Sequence, residues 1–122
     1  MPPTRTSFAD GPLPSTAFLI LVCLADADAH GYQLRKELIE RSNGAIDLDP
    51  GSLYRLIFRL HEDGLIEDSG GDDTRRRSYR LTALGKRVLS AETDRMAGLV
   101  AQARSVHVAQ PQSLRHARTR KT

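Results

Sequence analysis

The sequence predicts a mainly α chain carrying one small β-hairpin. Three observations point there. Residues 53–60 place Leu53, Leu56, Ile57 and Leu60 on one helical face. LIEDS (65–69) and SYRLT (78–82) are short strand-like stretches on either side of a glycine-led turn. A long segment after Thr82 repeats apolar residues at three- and four-residue steps.

The elements follow in order. Residues 1–13 are rich in Pro, Thr and Ser and read as a flexible tail. Ser15 is a good N-cap for a first helix running to about Asp26. Its run AFLILVCLA (17–25) is too short to span a bilayer and fits a helix buried on most sides. ADADAHG is a polar break. A second helix is expected over Tyr32–Arg41, with Leu34, Leu38 and Ile39 on one face and Gly44 in the left-handed position beyond its end. AIDL (45–48) is too short for a helix and reads as a small strand. Asp49 and Pro50 form a cap and first-turn pair, so a third helix starts there, runs to about Asp63 and stops at Gly64. Residues 65–82 then form a hairpin. Thr82 caps a fourth helix from Ala83 to about Val106, and residues 107–122 have little to bury and read as disordered. Three helices followed by a two-stranded hairpin is the winged form of the helix-turn-helix. The expected organisation is a tail (1–13), a winged helix-turn-helix domain (14–82), a dimerisation helix (83–106) and a basic tail (107–122).

Composition narrows the function. The 122 residues suit one compact domain. The net charge is +3, a mild pointer to an anionic partner. Four basic and no acidic residues lie beyond residue 105, so residues 1–105 hold 14 basic against 15 acidic groups. Any basic surface on the body is therefore a local patch. The single cysteine, Cys23, excludes an internal disulfide and a cysteine metal cage, and suits a reducing cytoplasm. The N-terminus has no signal-peptide pattern. Asp26, Asp28 and His30 lie close together but lack the ligand pattern of a calcium loop or zinc site. Asp28 or His30 capping the second helix is the simpler account. Cys23, inside an apolar helix, reads as core. No phosphate loop, activated nucleophile or carboxylate pair is present, so no enzyme, cofactor or metal is expected.

The third helix carries the functional signal. Opposite its apolar stripe lie Gly51, Tyr54, Arg55, Phe58, Arg59 and Glu62. Solubility alone would favour Glu and Lys there. Arginine forks onto guanine or phosphate, tyrosine bonds phosphate, and an apolar ring meets a thymine methyl. Ser52 lies in the first turn, where recognition helices meet DNA. The competing reading has Arg55 and Arg59 paired with Glu62, Asp63 or their neighbours, and Tyr54 packed on the second helix. Phe58 needs a partner in either case. In the hairpin, Arg75, Arg76 and Arg77 make a basic tip suited to a duplex backbone, unless Asp72 and Asp73 neutralise them.

The fourth helix supports self-association. Leu84, Val88, Leu89, Met96, Leu99, Val100 and Ala103 form a broad apolar stripe, on a helix about 36 Å long. That length exceeds what so small a domain covers. The expected partner is the first helix of a second subunit, with Phe18 in the interface.

HGYQL (30–34), PGSLYRLIFRLHEDGLIE (50–67) and RRRSYRLTALGKRVL (75–89) together resemble the PadR family of winged-helix transcriptional regulators. The resemblance covers about residues 14–105 at normal spacing. It implies a homodimer, joined by one long C-terminal helix, that binds an inverted-repeat operator and usually represses. By position, Ser52, Tyr54, Arg55 and Arg59 match the family's DNA-facing helix, and Arg75, Arg76 and Arg77 its wing. Phe58 departs from the lysine or polar residue often found there, which implies an altered base preference. Family dimers can hold a small hydrophobic effector between C-terminal helices and winged domains, here near Phe18, Met96 or Leu99. The alternative is a winged-helix protein–protein module, for which Phe58 is the motive.

Overall fold

The computed structural model describes residues 6–70 and 77–106. Four helices appear: α1 (Ser15–Asp26), α2 (Gly31–Arg41), α3 (Pro50–Glu62) and α4 (Ala83–Ser105). Three short strands, β1 (Ala29–His30), β2 (Ile66–Asp68) and β3 (Ser78–Leu81), form an antiparallel sheet in the order β1-β3-β2. β2 and β3 pair Ile66 with Leu81 and Asp68 with Tyr79, as the hairpin reading requires. The chain divides within α4. Residues through Glu92 make one compact unit, and residues from Thr93 onward a second.

The core of the first unit is built from one face of each helix: Leu21 of α1, Leu34 and Leu38 of α2, Leu53 and Leu60 of α3, joined by Ile66 of β2. Cys23 lies fully buried among them, and that burial pushes its thiol up to about 11.

Capping explains the helix boundaries. α1 begins after Pro14, and Ser15 is its first helical residue rather than its cap; no side chain caps this end. α2 is capped by His30, whose Nδ1 accepts from the Gln33 amide, while Gln33 Oε1 accepts from the His30 amide. This reciprocal pair is a capping box. Asn43 (φ 53°) and Gly44 (φ 83°) unwind the far end. At α3, the Asp49 carboxylate accepts from the Ser52 amide and Pro50 occupies the first turn. Gly64 (φ 79°) ends the helix, with the Leu65 amide donating back to the Leu60 carbonyl. Thr82 caps α4 by accepting from the Gly85 amide.

Several expectations need correction. Residues 45–48 form no strand. Ile46 and Leu48 pack against the core, and Arg35 holds the loop by donating to the Leu48 carbonyl at 2.9 Å. The third strand is instead β1, inside the expected polar break, where Ala29 and His30 pair with Tyr79 and Ser78. The tail reading of residues 1–13 also fails from Thr6 onward. Phe8–Asp10 form a 3-10 turn, and Phe8 and Leu13 are core residues, 4% and 5% exposed. The Phe8 amide donates to Asp63 Oδ2 and the Leu13 amide to Glu92 Oε2, each at 2.8 Å. Lastly, the early part of the α4 stripe packs against the core of its own chain. Val88 is buried, and Leu84 and Leu89 lie partly covered against the same core, as does Phe18.

Candidate nucleic-acid interface

The polar and aromatic residues of α3 occupy its outward side because Leu53, Ile57 and Leu60 turn the opposite side into the core. Within that outward side the structure separates residues that the sequence grouped together.

At the N-terminal turn, Ser52 and Arg55 are linked in a chain. Ser52 Oγ donates to Asp49 Oδ1 at 2.6 Å and accepts from Arg55 Nη2 at 3.1 Å. The Ser52 hydroxyl and amide hold the Asp49 carboxyl below its ordinary value, because both bonds favour the charged form. Ser52 has thereby spent its single hydroxyl proton on Asp49. It orients Arg55, whose exposed guanidinium is the helix's outward cation.

Tyr54 stands at the α2–α3 junction and is 51% exposed. A Cβ at Gly31 would come within 2.6 Å of the Tyr54 hydroxyl oxygen, so the first residue of α2 has to be glycine for the ring to lie as it does. This contact joins the Gly-Tyr opening of α2 to α3. Phe58 is 66% exposed. Tyr54, Phe58 and His61 of α3 line one cleft with Arg77, Tyr79 of β3 and Asp68 of β2, so the helix and the hairpin share a surface. Arg77 faces Asp68 only loosely, at 3.9 Å. Arg75 and Arg76 lie outside the described residues, as do Asp72 and Asp73.

Arg59 departs from this group. Its Nη2 donates to the Thr6 carbonyl at 2.8 Å, its guanidinium carbon lies 3.7 Å from the centre of the Phe8 ring, and its Nε is 4.0 Å from Asp63 Oδ2. The side chain is 35% exposed. The ion-pair reading therefore applies to Arg59, with a cation–π contact added. The sequence offered one sign of this: two apolar residues, Phe8 and Leu13, inside an otherwise polar and proline-rich stretch.

In the second unit the apolar residues stay open. Leu99 is 56% and Val100 48% exposed, Ala103 is exposed, and Met96 is partly covered. No helix among the described residues is long and apolar enough to cross a membrane.

Known proteins resemble this chain in sequence and fold. Residues 20–91 match the transcriptional regulator PadR-like family. The transcriptional regulator Rv3488 of Mycobacterium tuberculosis is 37% identical over 75 residues, covering 60% of this chain and 67% of that protein. A PadR family transcription regulator from Clostridium difficile superposes with a TM-score of 0.65 at 22% identity, over 78% of this chain and 100% of that one. A transcriptional regulator from Clostridium thermocellum gives 0.66 at 23% identity, over 80% and 99%. The winged arrangement, the aromatic and basic outward side of α3 and the family match agree, and the chain belongs to the PadR-like family of DNA-binding transcriptional regulators.

Proposed function

We propose that this regulator binds an inverted-repeat operator as a homodimer and represses transcription from it in the cytoplasm. The observation that carries the proposal is the joint surface of α3 and the hairpin. There exposed Tyr54 and Phe58 face Arg77 across the cleft, and Arg55 stands exposed on the same helix outside that cleft. A helix for the major groove beside a basic hairpin for the backbone is the footprint a duplex needs. The open apolar residues Leu99, Val100 and Ala103 support the homodimer. A small apolar effector that releases the operator belongs to the same reading. A cleft of about 310 Å³, lined by Ala9, Gly11, Leu84, Val88 and Ala91 with the charged Asp10, Arg87 and Glu92, has the size a small ligand takes.

The test is a fluorescence-anisotropy titration against DNA from upstream of the protein's own gene, with unrelated competitor DNA, at several salt concentrations. Binding that survives competitor is expected. Arg55→Ala is expected to weaken it and to lower the salt slope by about 0.9 for each phosphate no longer neutralised. Should Arg55 read guanine instead, affinity falls roughly ten- to hundredfold with little change in slope. Unchanged affinity and unchanged slope would refute the role of Arg55. Exposed Phe58 favours a second reading, a protein-interaction module. That reading gains if all DNA binding vanishes with competitor.

A further inference from the structure

Phe58 sits at the crest of α3. At about 100° per residue it points roughly 150° away from the mean direction of Leu53, Leu56, Ile57 and Leu60. Tyr54 and Arg55 flank it on either side. It is the most exposed of the large apolar residues of this helix and lies outside the core cluster. A residue at the crest reaches farthest into whatever the helix enters. Arg55, as far from the apolar face on the other side of the crest, is bonded to Ser52, and Arg59 is turned toward Thr6 and Phe8.

A phenyl ring has no hydrogen to donate to a phosphate and no lone pair for an exocyclic amine. It cannot read guanine, adenine or cytosine through their polar edges. In the major groove one base presents an apolar group, the C5-methyl of thymine. We infer that Phe58 is a specificity-determining residue that reads thymine through its 5-methyl group in each half of the operator. This rests on the operator-binding reading above and names the base that the helix crest selects. Arg77 and Tyr79 border the same cleft, so the methyl contact lies between the recognition helix and the hairpin rather than at the edge of the interface.

The experiment uses the full chain and the shortest upstream duplex that it retains against competitor. The same duplex is made with deoxyuridine in place of thymine, first throughout and then one position at a time. Deoxyuridine keeps every base-pairing atom and lacks only the methyl group. Wild-type protein is expected to lose roughly fourfold in affinity for each methyl it touches, the value of one buried methyl-sized group. The loss should map to one or two symmetry-related positions. Phe58→Ala should bind the thymine duplex more weakly and show no thymine–deoxyuridine difference at those positions. Because Phe58 is exposed, the substitution leaves the fold intact, and a circular dichroism melt checks this. Equal binding of both duplexes by wild type would overturn the inference while leaving operator binding standing. So would a thymine–deoxyuridine ratio unchanged in Phe58→Ala, which would trace the effect to DNA shape. Retention of no duplex at all would overturn both readings.

Discussion

Arg59 shows how a single residue can match a functional pattern and serve another purpose. On a helical wheel it belongs with Arg55, yet its guanidinium lies over the Phe8 ring and bonds the Thr6 carbonyl. The two arginines differ because Arg55 bonds Ser52 in its own helix, while Arg59 bonds a segment more than fifty residues earlier in the chain. No periodicity within α3 encodes that segment, so this part of the site was not legible from the helix alone. The arrangement predicts coupled stability effects. Phe8→Ala should cost about 3–5 kcal/mol as a buried aromatic truncation. Arg59→Ala should cost about 1–2 kcal/mol, since it removes a hydrogen bond and a cation–π pair. In urea melts the double variant should fall short of the sum by about 0.5–2 kcal/mol, since both changes delete the same interaction. Strict additivity would show that the two residues act independently.

Among the elements, legibility followed how local the determinants are. α3 was readable to within a residue because its start and stop lie in its own sequence, at Asp49, Pro50 and Gly64. The hairpin was readable from its alternation and glycines. β1 was not, because two residues carry no periodicity and their partners, Ser78 and Tyr79, lie far along the chain. Residues 45–48 read as a strand only because they are too short for a helix, and what holds them, burial of Ile46 and Leu48 and the bond from Arg35, depends on α2. In α4 the apolar stripe was legible, but its division between own core and open surface depends on tertiary packing. The first turn of α4 carries a sharp constraint. A Cβ at Gly85 would collide with the Leu65 carbonyl oxygen, a backbone atom that also accepts from the Thr82 amide. Gly85→Ala should therefore destabilise the protein by about 1–3 kcal/mol, although alanine is the better helix former, and thermal melts would show it. A variant as stable as wild type would mean that the helix start moves away freely.

At the scale of the whole molecule, the first unit carries the proposed reading surface, and the second carries apolar residues, Leu99 and Val100, that are exposed among the described residues. If Leu99 and Val100 meet a second subunit, Leu99→Glu with Val100→Glu should convert a dimer to a monomer in sedimentation velocity at micromolar concentration. The circular dichroism of the first unit should be retained, because neither residue enters its core. Persistence of the dimer would place the interface elsewhere. The winged architecture and the family were legible because several motifs agreed in order and spacing, whereas the fate of each exposed side chain depended on neighbours distant in sequence. The N-terminal segment has a consequence for synthesis on the ribosome. Phe8 waits for Asp63, and Leu13 waits for Glu92, before either amide finds its acceptor. Among the described residues, the first to be translated are thus among the last to be fixed. A nascent chain that has completed α3 but has not begun α4 still lacks the acceptor that ties Leu13 down, so the N-terminal segment is fastened only after α4 has been made as far as Glu92.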